Sequence, residues 1–101
     1  MKTNAVCTVA RADDEDSRIT FSGECMWQGT DGFSVGKNGE NREEVTVIFL
    51  PVSADVQKGD CIIRGEISDC EQVLRQGLTA KKVKHRDFGS AEMQHIEVEA
   101  V

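Results

Sequence analysis

The stretch "EVTVIFLP", residues 44–51, is the strongest strand signal in the sequence. Val45, Val47 and Phe49 fall on one face, and Ile48 and Leu50 on the other. Apolar side chains on both faces predict a central strand covered on both sides. Pro51 has no N–H to donate, so regular pairing ends there.

Working outward, "QGTDGFSVGKNGENRE" (28–43) is rich in glycine and asparagine and long for a connection inside a small domain. It predicts a flexible loop over 28–43. Before it, "NAVCTVAR" (4–11) and "RITFSGECMW" (18–27) flank the acidic run "ADDEDS" (12–17), which reads as a hairpin with a solvated tip. After Pro51, "SADVQKGDCIIRGEI" (53–67) holds a turn, "QKGD", and then a strand through Cys61, Ile62, Ile63 and Ile67. Gly65 within it marks a bulge or a close backbone approach.

"SDCEQVLRQG" (68–77) is the one helical pattern. Ser68 and Glu71 have capping-box spacing, Gly77 suits the C′ position, and Cys70, Val73 and Leu74 share a face. The pattern predicts a short helix over 69–76, unstable alone and therefore docked on the sheet. "TAKKVKHRDF" (79–88) and "EMQHIEVEA" (92–100) complete the chain as strands around the turn "FGSA".

The expected fold is all-β with one short helix. About six strands with closely spaced turns form a small closed or partly open antiparallel β-barrel, which leaves few exposed edges. The 101 residues suit a single domain, 1–101.

The net charge of −6 opposes general binding to nucleic-acid phosphates, which only a local basic patch would override. The four cysteines form no C-x-x-C pair and the N-terminus carries no apolar leader, so free thiols in a reducing cytosol are expected. No stretch is apolar enough for a membrane span.

Three constellations invite chemistry. His85 and His95 lie on adjacent predicted strands and, with a cysteine, have the donor types of a zinc site or a thiol–imidazole pair; no ligand spacing recurs. The glycine loop lacks the first glycine and the Ser/Thr of a phosphate-binding loop. In "KKVKHR" (81–86), Lys82, Lys84 and Arg86 share one face and Lys81, Val83 and His85 the other. That stripe suits either a DNA path or an edge strand guarded by lysines. No nucleophile elbow, zincin helix or dinucleotide fingerprint is present, so the reading is a protein that is not an enzyme and has no catalytic residue, metal or cofactor.

The half from "KGDCIIRGEI" to "KKVKHRDFGSAEMQHIEV" resembles small head–tail junction proteins, of minor capsid or head-closure type, from siphophages and prophages of Gram-positive bacteria. The matching positions are Gly59 and Asp60, then Gly89, Ser90, Met93, His95, Glu97 and Val98; Ile96 stands where that family has an aromatic. The middle is similar too, at Trp27, Ser34, Lys37, Val45, Thr46, Val47 and Pro51. The likeness runs from Trp27 onward, and the chain is shorter than that family between Pro51 and the Gly-Asp turn.

The resemblance implies a structural protein of the virion neck, made in the host cytoplasm and assembled as a ring around the DNA exit channel. Its partners would be other head–tail proteins, further copies of itself and packaged DNA, with no membrane. Trp27, Phe33, Ser34, Lys37, Met93 and His95 are then the candidate partner contacts, and Lys82, Lys84 and Arg86 the candidate DNA-facing residues. The alternative is a small nucleic-acid-binding barrel that uses the same basic strand.

Overall fold

The computed structural model describes residues 2–13, 16–33, 44–90 and 93–101. The strands are β1 (Ala5–Ala12), β2 (Ser17–Phe33), β3 (Glu44–Leu50), β4 (Cys61–Arg64), β5 (Leu78–Arg86) and β6 (His95–Ala100). One helix, α1 (Cys70–Gln76), lies between β4 and β5. The strands close into an antiparallel barrel in the order β1-β2-β3-β6-β5-β4, as the turn-rich alternating sequence predicts.

The core is built on inward rows of five strands, Cys7 and Val9 on β1, Cys25 on β2, Ile48 and Leu50 on β3, Ile62 on β4, and Ile96 and Val98 on β6, with β5 adding the smaller Ala80. All are fully buried. Each large aliphatic among them contributes about 1.5–3 kcal/mol relative to exposure. The inward face of β3 is Thr46, Ile48 and Leu50, while Val45, Val47 and Phe49 are only half-buried on the outside. The expectation of a strand covered on both sides is therefore corrected. A closed barrel has one interior, and β3 gives it the face with the two largest aliphatics.

Two local expectations shift by one position or more. The N-cap of α1 is Asp69, whose carboxylate accepts from the Glu71 N–H at 3.1 Å; Ser68 lies outside the helix. Gly77 ends the helix in extended backbone, φ −77°, so a left-handed C′ is not what selects glycine there. Space is: a Cβ would fall 2.5 Å from the Val73 carbonyl oxygen and 2.9 Å from that of Ile62. The helix packs on β1 and β4 from outside the barrel, burying its Val73; Ala10 of β1 is buried as well.

The flexible loop expected over 28–43 is corrected at its start. β2 continues to Phe33, with Thr30 opposite Thr46 and Phe33 opposite Glu44. Backbone pairing to β3 outweighs the glycine content here, at the cost of register shifts on either side of Thr30. Residues 34–43 lie outside the described residues.

β1 pairs with β2 only as far as Cys25, so β2 from Met26 onward has β3 as its ladder partner and projects past the barrel wall. β2 and β6 run the same way, both antiparallel to β3. The β2–β3 arm therefore leaves one end of the barrel, and the β5–β6 hairpin tip leaves the other.

Candidate functional site

The tip between β5 and β6 is built on Gly89, whose φ of +88° is a conformation that L side chains rarely adopt. The Met93 N–H then donates to the Ser90 carbonyl at 2.9 Å, and the Gln94 side-chain amide donates to the Gly89 carbonyl at 3.2 Å. His95 completes the set: its Nδ1 lies 2.9 Å from the Met93 carbonyl oxygen, so the ring carries its proton there and donates it. The imidazole is also fixed from the side by the Phe49 ring, edge-on at 5.1 Å. His95 is thus held at two points in a turn. The turn leaves Phe88 68% exposed and Met93 64% exposed, the two most exposed large apolar side chains among the described residues.

His85 does not join His95. His85 is opposite the buried Ile96 and His95 is opposite Arg86, so the two rings lie on opposite faces of the sheet. Among the described residues no group of three or more His, Cys, Asp or Glu is placed to hold a metal ion.

The basic stripe shares one face, as its spacing predicts, and that face is outward, but carboxylates lie directly across the ladder. Lys82 is opposite Glu99, Lys84 is opposite Glu97, and Arg86 reaches the Glu97 carboxylate at 3.4 Å. Cross-strand opposite charges partly neutralise one another. The three candidate DNA-facing residues therefore form a mixed-charge surface.

The other candidate contacts divide. The Trp27 side chain is half-buried against the core, and its backbone N–H and carbonyl are both held by the Asn4 side-chain amide, at 2.8 and 3.1 Å. Asn4 takes the place of a strand partner where β1 has not yet begun. Phe33 ends β2, and Ser34 and Lys37 lie outside the described residues.

A second glycine turn builds a buried ion pair that its residue types alone do not announce. Gly59 has φ +98°, and the next residue, Asp60, is buried. The Asp60 carboxylate accepts from Arg11 Nε and Nη2, both at 2.9 Å, and from the Gln57 N–H at 2.8 Å. Asp55 receives the outer side of the same guanidinium at 2.9 Å. Hydrogen bonds to Asp60 and then Asp55 push the Arg11 pKa up, so the guanidinium is charged at any physiological pH. The sequence signal was the Gly-Asp pair entering β4; its partner Arg11 lies in a distant strand.

The four cysteines are free. Burial pushes the Cys7 thiol up strongly, helped by the adjacent Cys25, and burial also raises Cys25 and Cys61. Thiols held protonated are poor nucleophiles, so these three behave as small apolar groups. No helix among the described residues is long and apolar enough to cross a membrane.

Residues 2–101 match a family of unknown function (DUF6751). The chain belongs to that family. No match was found among curated proteins or solved structures.

Proposed function

We propose that this protein is a non-enzymatic assembly component of a phage or prophage head–tail connector, working in the virion neck through protein–protein contacts. The observation that carries the reading is the β5–β6 tip. Its glycine, its backbone bonds and His95 all serve to hold one turn, and that turn presents Phe88 and Met93 to solvent. Exposed apolar side chains at a protein's extremity suit a partner's pocket, and Met adapts to such surfaces. The likeness at Gly89, Ser90, Met93 and His95 falls on this same turn, which links the resemblance to a physical role.

On this reading copies associate head-to-tail into a ring, since heterologous contacts close by rotation. The β2–β3 arm and the β5–β6 tip, at opposite ends of the barrel, supply the two kinds of contact. Packaged DNA lies within reach of the ring, yet the tip and arm do the assembling. The alternative, a nucleic-acid-binding barrel, is weakened by Glu97 and Glu99 opposite its basic stripe.

Deleting the gene from the parent phage, or from an induced prophage, tests the proposal. Electron micrographs should show heads and tails that fail to join. Supplying the protein in trans should restore joining, and a folded Phe88→Ser/Met93→Ser variant should not. Normal virions from the deletion would overturn the function. Full rescue by the variant would overturn the role of the tip.

A further inference from the structure

β5 is closed on one side from Thr79 to Arg86 and on the other for only its first third. β6 pairs with β5 from Ala80 to Arg86. β4 pairs only with Leu78 and Thr79, and the bonds on that side end with Gly59 N–H to the Ala80 carbonyl and Ala80 N–H to the Asp60 carbonyl. Beyond Ala80, among the described residues, nothing hydrogen-bonds to that edge of β5. In an antiparallel ladder every second residue turns its N–H and C=O away from its partner. Residues 81–86 therefore present a row of unmatched donors and acceptors.

An open cleft runs beside this row, between β5 and residues 56–58. Its apolar lining is Val56 and Val83, and Lys58, Lys81, Lys82, Lys84 and His85 stand around it. No carboxylate among the described residues is within salt-bridge distance of Lys58 or Lys81. Lys82 and Lys84 have Glu99 and Glu97 opposite, whereas Lys58 and Lys81 have no such carboxylate.

We infer that the free edge of β5, residues 81–86, takes up an extended acidic segment of a partner protein as an added strand, with its carboxylates toward Lys58 and Lys81 and a small apolar side chain toward Val56 and Val83. Main-chain bonds supply affinity in such strand addition, and the flanking side chains supply selectivity. A nucleic acid brings charge of the right sign but no alternating N–H and C=O groups. This site is separate from the hairpin tip and stands whether or not the chain belongs to a phage neck.

The test uses the full chain and a capped peptide of about eight residues alternating Glu with Val or Thr, matched to a strand of ordinary length. Controls are the same peptide with Lys for Glu, the acidic peptide N-methylated at alternate residues, and a single-stranded oligothymidylate. At up to about 1 mM peptide, the acidic form should bind and alternate amides of residues 81–86 should gain protection from hydrogen exchange. The lysine and N-methylated peptides should bind at least about tenfold more weakly. Lys58→Glu/Lys81→Glu, which alters only exposed side chains, should reverse the preference between acidic and basic peptides. No binding, binding without protection of 81–86, or indifference to N-methylation would overturn the inference. So would oligothymidylate competing for the same edge, or the chain protecting that edge by pairing with a second copy.

Discussion

The turns at Gly59 and Gly89 use the same backbone device to opposite ends. Both glycines sit at positive φ, +98° and +88°. After Gly59 the chain delivers a carboxylate inward, where Asp60 is 4% exposed and gripped by Arg11. After Gly89 the bonds stay within the turn, among Ser90, Met93, Gln94 and His95, and the apolar side chains point out. A left-handed glycine fixes where a chain reverses. What the neighbouring side chains meet decides whether the reversal is a clasp or a presented surface.

The sharpest way to break this comparison is at the clasp. Asp60→Ala leaves the Arg11 guanidinium with Asp55 alone and the Gln57 N–H without its acceptor, and urea unfolding should show a loss of about 2–3 kcal/mol. A loss below about 1 kcal/mol would mean that the pair behaves like a surface bridge, and the contrast with the tip would disappear.

The wall beside the clasp has a second signature, in pH. The Cys7 and Cys25 thiols are raised by burial above their usual value near 9.0, so they stay protonated in the folded chain where the unfolded chain ionises. The folded state then binds more protons, and stability is intact below that pH and falls above it. The slope should reach about 1.4 kcal/mol per pH unit from Cys7, with Cys25 adding to it. Denaturant melts from pH 7 to 10.5 would detect it, and Cys25→Ala should reduce the slope. A flat profile would show that the thiols reach solvent.

Gly59→Ala and Gly89→Ala isolate the device that the two turns share. A Cβ at Gly59 meets nothing within 4 Å, and at Gly89 only the Met93 side chain at 3.6 Å or more, so both losses come from backbone strain. Each should be about 1–2 kcal/mol, and the two should be similar. A clear inequality would mean that one turn relaxes.

The smallest effect belongs to the tip. Phe88→Ser/Met93→Ser should change stability by no more than about 0.5 kcal/mol, since neither side chain is packed in the core. Thermal melts that coincide with the parent's would sharpen the comparison: large cost at the clasp, little at the tip.

Much of this was legible residue by residue. The alternation around Ile48 and Leu50, the short helix and the face shared by Lys82, Lys84 and Arg86 are local patterns with fixed periods. The end of β2 was not legible, because its glycine-rich residues pair only with what β3 offers across the hairpin. His95 could be noticed by its motif, but its contact with the Met93 carbonyl depends on the turn geometry.

The sequence by itself determined an antiparallel sheet of about six strands, with glycine reversals before Asp60 and after Phe88, because strand period and backbone sterics act over neighbouring residues. Only the tertiary structure decided which face of each strand is inside, that Arg11 closes on Asp60, that Glu97 and Glu99 lie opposite the basic stripe, and that β5 outruns β4. Those depend on pairing register and barrel closure, which bring together residues far apart in the chain and leave no local mark on either partner.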